Sequence, residues 1–188
     1  MDHAPARPMP GGPLALDLAN TIWHDDAGQR VDWLLDDAAV RRFCDEHGVV
    51  WTTAPVEHAR DALTSARSIV HRILVSATAD EPANDPSLSV AVDNALADTV
   101  VQSATIDGRL QLQITHPDPI QNLAISAVRG AIELVADQPT RTRCCDRDGC
   151  VLWFLDTSKG GRRRWCSMDR CGNRIKAQRH HQRSRTNG

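Results

Sequence analysis

Four cysteines near the C-terminus, Cys145, Cys150, Cys166 and Cys171, stand in two pairs, with four residues inside each pair and fifteen between the pairs. Two such pairs can meet around one tetrahedral zinc, which binds thiolates at about 2.3 Å, if each pair folds into a tight knuckle and the intervening chain doubles back. The linking stretch permits this. Residues 151–155 form an apolar, strand-like run, Gly160 and Gly161 supply a turn, and residues 162–165 are basic and end in Trp165. The expected local structure is a two-stranded ribbon closed by a metal, because a segment this small has too little core to fold unaided. Disulfides are the alternative pairing, but they belong to oxidising compartments and usually follow a secretory signal. Residues 1–13 carry Pro, Gly, Asp2 and Arg7 and no apolar stretch of signal length. With no run of about 18 apolar residues for a membrane span, the chain reads as cytoplasmic, with no membrane partner.

Two cysteines remain. Cys144 adjoins Cys145 and would widen the first knuckle from four residues to five; as a spare thiol it needs no role. Cys44 lies in a helical-looking stretch and is expected in the core, where a free cysteine behaves as a small hydrophobe.

The charge is split. Of the 22 basic and 24 acidic residues, 13 and 4 lie from Arg141 onward, a net of +9 against −11 for the rest. A chain of 188 residues with this asymmetry suits one medium domain followed by a small module. A basic module attracts polyanions by counterion release, and nucleic acid is the commonest polyanion in a cell. Docking of the module on its own acidic partner domain would use the same charge.

Periodicity assigns the rest to a mainly α fold with a small β-hairpin (α+β). Residues 1–12, rich in Pro and Gly, are expected to be disordered or extended, and residues 13–139 to form an α-rich domain. Residues 13–23 are assigned to a helix, although Leu14, Leu16 and Leu18 also alternate as in a strand. Helices are expected from Asp36 or Asp37 to Glu46, stopped by Gly48, then over 55–77, 87–101 and 120–137. Residues 108–116 alternate strictly, with Leu110, Leu112 and Ile114 on one face, and 100–106 are their natural hairpin partner across Asp107 and Gly108. Residues 140–188 complete the chain as a zinc finger whose second cysteine pair runs into a basic helix from Cys171, a treble-clef-like arrangement that sets thiolates at a helix N-terminus.

Residues 165–176, Trp-Cys-Ser-Met-Asp-Arg-Cys-Gly-Asn-Arg-Ile-Lys, together with Phe154-Leu-Asp-Thr-Ser158, resemble the CGNR zinc-finger family, whose tetrapeptide stands here as Cys171, Gly172, Asn173 and Arg174. Residues 16–21, Leu-Asp-Leu-Ala-Asn-Thr, resemble the opening of the ABATE domain that precedes that finger. The resemblance implies a bacterial, stress-induced transcription regulator with one structural zinc on Cys145, Cys150, Cys166 and Cys171 and a DNA-binding finger. Its four-residue first knuckle also favours Cys145 over Cys144. Locally, Gly172 is expected to allow close backbone approach or positive φ, Asn173 to bond a knuckle backbone group, and Trp165 to cover the site. Phosphate or base contact falls to Arg162, Arg163, Arg164, Arg174, Lys176, Arg179, Arg183 and Arg185, with DNA the expected partner ahead of RNA. His180 and His181 read as a solvated pair.

Nothing in the sequence points to catalysis. A four-cysteine zinc has no open position for water, and no nucleophile elbow, P-loop, dinucleotide fingerprint or His-Glu-x-x-His helix occurs. Asp17, Asn20, Thr21 and His24 gather polar groups on an apolar stretch. Capping and buried hydrogen bonding account for them, and the sharper alternative is a pocket for a small-molecule effector. The rival readings of the whole are a zinc-stapled protein-interaction module and an enzyme with its site in the helical domain.

Overall fold

The computed structural model describes residues 6–50, 54–78 and 85–177. The first unit is built on α1 (Leu14–Ala19), α2 (Asp37–Glu46), α3 (Val56–Thr78), α4 (Pro86–Leu96) and α5 (Pro119–Asp137). Three separate antiparallel pairs accompany them: β1 (Ile22–His24) with β2 (Arg30–Asp32), β3 (Val100–Ile106) with β4 (Arg109–Thr115), and β5 (Thr142–Cys144) with β6 (Trp153–Leu155). The molecule is mainly α with small hairpins, as the periodicity implied.

The long helices follow their apolar period. α3 buries Ala59, Leu63, Ala66, Val70, Ile73 and Leu74, and packs along α5, which buries Leu123, Ala124, Ala127, Val128 and Ala131. Each large side chain buried here is worth about 1.5–3 kcal/mol, which makes this pair the main support of the unit. α1 lies against both helices and adds Leu16 and Leu18. Helix starts are fixed by carboxylates: Asp36 accepts from the Ala39 N–H at 3.0 Å, Asp85 from Ser87 at 3.1 Å and Asp118 from Ile120 at 2.8 Å. Pro86 and Pro119 occupy the first helical positions, where a missing N–H costs nothing. The β3–β4 hairpin turns through Asp107 and Gly108, both at positive φ (49° and 73°), as a tight hairpin of native twist requires. Its Val101, Leu110 and Leu112 are exposed.

Four expectations are corrected. The helix expected over 87–101 ends at Leu96, and Val100 and Val101 already pair with Thr115 and Ile114. The helix assigned to residues 13–23 ends at Ala19: the Thr21 hydroxyl donates to the Leu18 carbonyl at 2.7 Å, and residues 22–24 leave to pair with 30–32, Trp23 opposite Val31. The segment 6–12 is not a free arm. Arg7 is buried, its guanidinium pairs with Asp17 and Glu46, and it lies 5.1 Å and 5.2 Å from the ring centres of Trp33 and Phe43. One arginine with a buried carboxylate and two aromatic faces outweighs the Pro/Gly composition around it. Finally, the ribbon does not turn at Gly160 and Gly161. β6 pairs backwards with β5, Arg143 opposite Phe154, so the hairpin encloses the first cysteine knuckle. Residues 162–165 stay irregular because side chains take their amides: Asp156 accepts from the Arg163 N–H at 2.8 Å and the Ser158 hydroxyl from the Arg162 N–H at 3.3 Å.

The second segment is not a bead on a linker. Leu152, Trp153, Phe154 and the cysteines Cys145, Cys166 and Cys171 belong to the same apolar cluster as α1, α3 and α5. The Asn20 side-chain amide clasps the Trp153 backbone, donating to its carbonyl at 2.9 Å and accepting from its N–H at 2.8 Å, so that one side chain takes the place of a neighbouring strand. His24 bonds the Gly149 carbonyl at 2.9 Å, and Arg174 pairs with Asp26 at 2.7 Å, adding two further ties.

Candidate metal centre and its basic surroundings

The first knuckle leaves β5 at Cys145, turns through a Cys150 N–H to Arg147 carbonyl bond of 2.9 Å, with Gly149 at φ 73°, and delivers Cys150 ahead of β6. The second runs from Cys166 to Cys171, where the Ser167 carbonyl accepts from the N–H groups of both Cys171 and Gly172 at 3.1 Å. The turn is a wide helical one over Met168–Gly172, followed by ordinary helix at 173–177. The knuckles bring the ligand atoms of Cys145, Cys150, Cys166 and Cys171 within 4.8 Å of one another. Sulfur separations of 3.9 Å for Cys150 and Cys166, 3.5 Å for Cys166 and Cys171, and 3.8 Å for Cys150 and Cys171 bracket the value of about 3.8 Å for thiolates placed tetrahedrally around zinc. They are far from the about 2.05 Å of a disulfide.

The surroundings also fit. Four thiolates on one zinc carry a formal −2 charge, which needs donors. The Cys166 N–H points at the Cys145 sulfur at 3.3 Å, and Arg147 stands beside Cys150 and Cys171: burial pushes its pKa down, but the negative charge of these two cysteines raises it by more. The chain thus builds a closed site for one structural zinc, with no position left for a reacting water. Cys144 is exposed on β5 and stands outside the cluster. Cys44 is wholly buried, and burial pushes its thiol up to about 11, so it is an inert core residue.

The motif residues have separate tasks. A Cβ on Gly172 would meet the Met168 Sδ at 2.6 Å and Cε at 2.9 Å, and Trp165 at 3.2 Å, so close approach explains this glycine. Asn173 is exposed, and no described residue bonds its side chain. Asp156 is fully buried and accepts from the amides of Ser158 and Arg163; the Ser158 side chain is the main reason its carboxyl lies below the usual range.

The arginines divide into two groups. Arg163 is engaged within the fold: it donates to the carbonyls of Trp165 and Cys166 and lies 4.6 Å from the Phe154 ring centre. Arg141 and Arg143 likewise donate to backbone carbonyls. Arg164 and Arg174 are exposed and pair with exposed Asp146 and Asp26, both at 2.7 Å. Arg162, Arg170 and Lys176 are exposed, and no described residue pairs with their side chains. Arg179, His180, His181, Arg183 and Arg185 lie outside the described residues. Sequence reasoning missed Arg147 because nothing in the knuckle's spacing says which of its side chains turns inward.

The four polar residues near the first helix each meet partners within the fold. Asp17 faces Arg7 and His47. Burial pushes its carboxyl up, but hydrogen bonds from His47, at 3.0 Å, and Arg7 more than offset this and hold it below the usual carboxylate range. Asn20 clasps Trp153, Thr21 accepts from Arg67 at 2.9 Å, and His24 bonds Gly149. Asp17 and Asn20 border a common cleft that Thr21 and His24 do not reach.

Residues 141–184 match the CGNR zinc finger family, and residues 12–138 match the ABATE family, described as "Putative stress-induced transcription regulator". The second match spans well over half of the chain, which therefore belongs to the ABATE family and ends in a CGNR zinc finger. Neither is an enzyme family. No curated protein matches the chain. No described helix is long and apolar enough to cross a membrane.

Proposed function

We propose that this ABATE-family protein is a zinc-dependent transcription regulator whose CGNR finger binds duplex DNA. The observation that carries the reading is the set of exposed basic side chains around the zinc-held segment that no described residue pairs with, Arg162, Arg170 and Lys176. Interior arginines such as Arg147 and Arg163 stabilise the finger, and the outer ones remain for an external polyanion. Arg164 and Arg174 join them at small cost, because exposed ion pairs are worth about 0–1 kcal/mol and a phosphate can replace the carboxylate. Arg179, Arg183 and Arg185, in the same basic stretch, extend the set. Asn173, exposed beside Arg174, adds a group able to read adenine. The β5–β6 knuckle followed by a knuckle at a helix start supports a treble-clef-like reading of the finger. In this reading Asp17, Asn20, Thr21 and His24 serve the fold.

The test is the salt dependence of binding to a duplex. Each phosphate neutralised adds about −0.9 to the slope of log affinity against log salt, so Lys176→Ala should weaken binding to all sequences alike and flatten the slope by about one. A slope near zero for the unaltered chain, or no binding near physiological salt, would remove DNA as the partner and leave a protein surface in its place.

A further inference from the structure

A cleft of about 870 Å³ opens where the first helix and the 9–13 segment face the zinc-held loop. This is the size of a small-ligand site, at the kind of junction where such sites form. Its walls are apolar and partly aromatic, with Leu16, Phe154, Leu155, Trp165 and Met168 among them. The polar groups on its floor are already committed: Asp17 to Arg7 and His47, and Asn20 to both backbone groups of Trp153. Of its three arginines, Arg163 is held by carbonyls and Arg164 by Asp146. Arg162 alone brings to the cleft a guanidinium that no described residue engages.

We propose that this cleft binds a small, planar, apolar molecule carrying one anionic group, with the body against Leu155, Trp165 and Met168 and the anion on Arg162. The wall composition selects the body, since flat rings gain from aromatic contact and the two buried polar side chains of the cleft, Asp17 and Asn20, are already taken up within the fold. The charge selects the anion: a guanidinium binds a carboxylate through paired, charge-assisted hydrogen bonds. The site lies between the two family segments, so a bound molecule touches both. It does not require the finger to bind DNA.

The probe is 1-naphthoate, with neutral 1-naphthamide as its isostere, titrated calorimetrically into the zinc-loaded full chain. Naphthoate should bind saturably at one site and more tightly than the amide. Arg162→Gln should weaken naphthoate about tenfold and leave the amide unchanged. Gly12 lines the cleft, its backbone suits any residue, and a Cβ there meets nothing within 4 Å, so Gly12→Trp should fill the space and abolish both. Met168→Glu, at a half-exposed position on the wall, should repel naphthoate alone and needs no cavity filling. Absence of saturable binding up to about 10 mM would overturn the site, as would naphthoate binding that all three variants leave unchanged. Duplex titration of the same preparation separates this outcome from failure of the DNA reading.

Discussion

At the scale of single residues, Asp17 shows how a buried charge is made tolerable. It is 1 % exposed, and its two oxygens face Arg7 and His47. Removing one member of a buried ion pair strands the other, so Asp17→Asn should cost about 3 kcal/mol in chemical denaturation. The pH dependence has a definite sign. Because the folded pKa lies below the unfolded value of 3.8, the carboxylate's contribution is complete above that value and is lost as the pH falls through the folded one. The stability gap between the native chain and Asp17→Asn should therefore be flat above about pH 5 and shrink below pH 4. A gap that widens with acid would contradict the assignment. Of these contacts the sequence disclosed only the polar cluster. Arg7 sits in a Pro/Gly-rich segment, and its partner Glu46 lies 39 positions away, beyond the reach of any local pattern.

At the scale of elements, what was legible is what local physics decides. α3 and α5 are long, and burial on one stripe fixes both type and extent. The β3–β4 hairpin follows from strict alternation around a turn that accepts positive φ. α1 is shorter than its apolar period implies because its end depends on Thr21 and on pairing with a strand eight residues on. Gly160 and Gly161 look like a hairpin turn, but a buried Asp156 reorganises that loop and the cysteine knuckle makes the turn instead. The four ligands were legible in full, since tetrahedral geometry constrains spacing more tightly than any propensity does. The second knuckle offers its own test. Gly172→Ala forces the end of the Met168 side chain aside and presses on Trp165, an overpacking that should cost about 1–3 kcal/mol. In a Met168→Ala background the same change should cost less than half as much. Equal costs in the two backgrounds would mean that the glycine is needed for something other than space.

At the scale of the whole molecule, the sequence suggested two parts of opposite charge, and the packing joins them. The zinc ligands Cys145, Cys166 and Cys171 share an apolar cluster with α1, α3 and α5, and Asn20 binds Trp153 across the junction. Many of the finger's arginines face inward or pair, so the surface open to a partner carries less charge than the composition suggests. One zinc organises the finger as part of the helical core. Scanning calorimetry of the full chain, before and after a chelator removes the zinc, tests it most directly. The chain should carry one zinc and unfold in a single cooperative transition whose midpoint falls as a whole once the metal is gone, because a structural zinc contributes folding free energy outright. Two transitions, with that of the helices unmoved by the chelator, would contradict it.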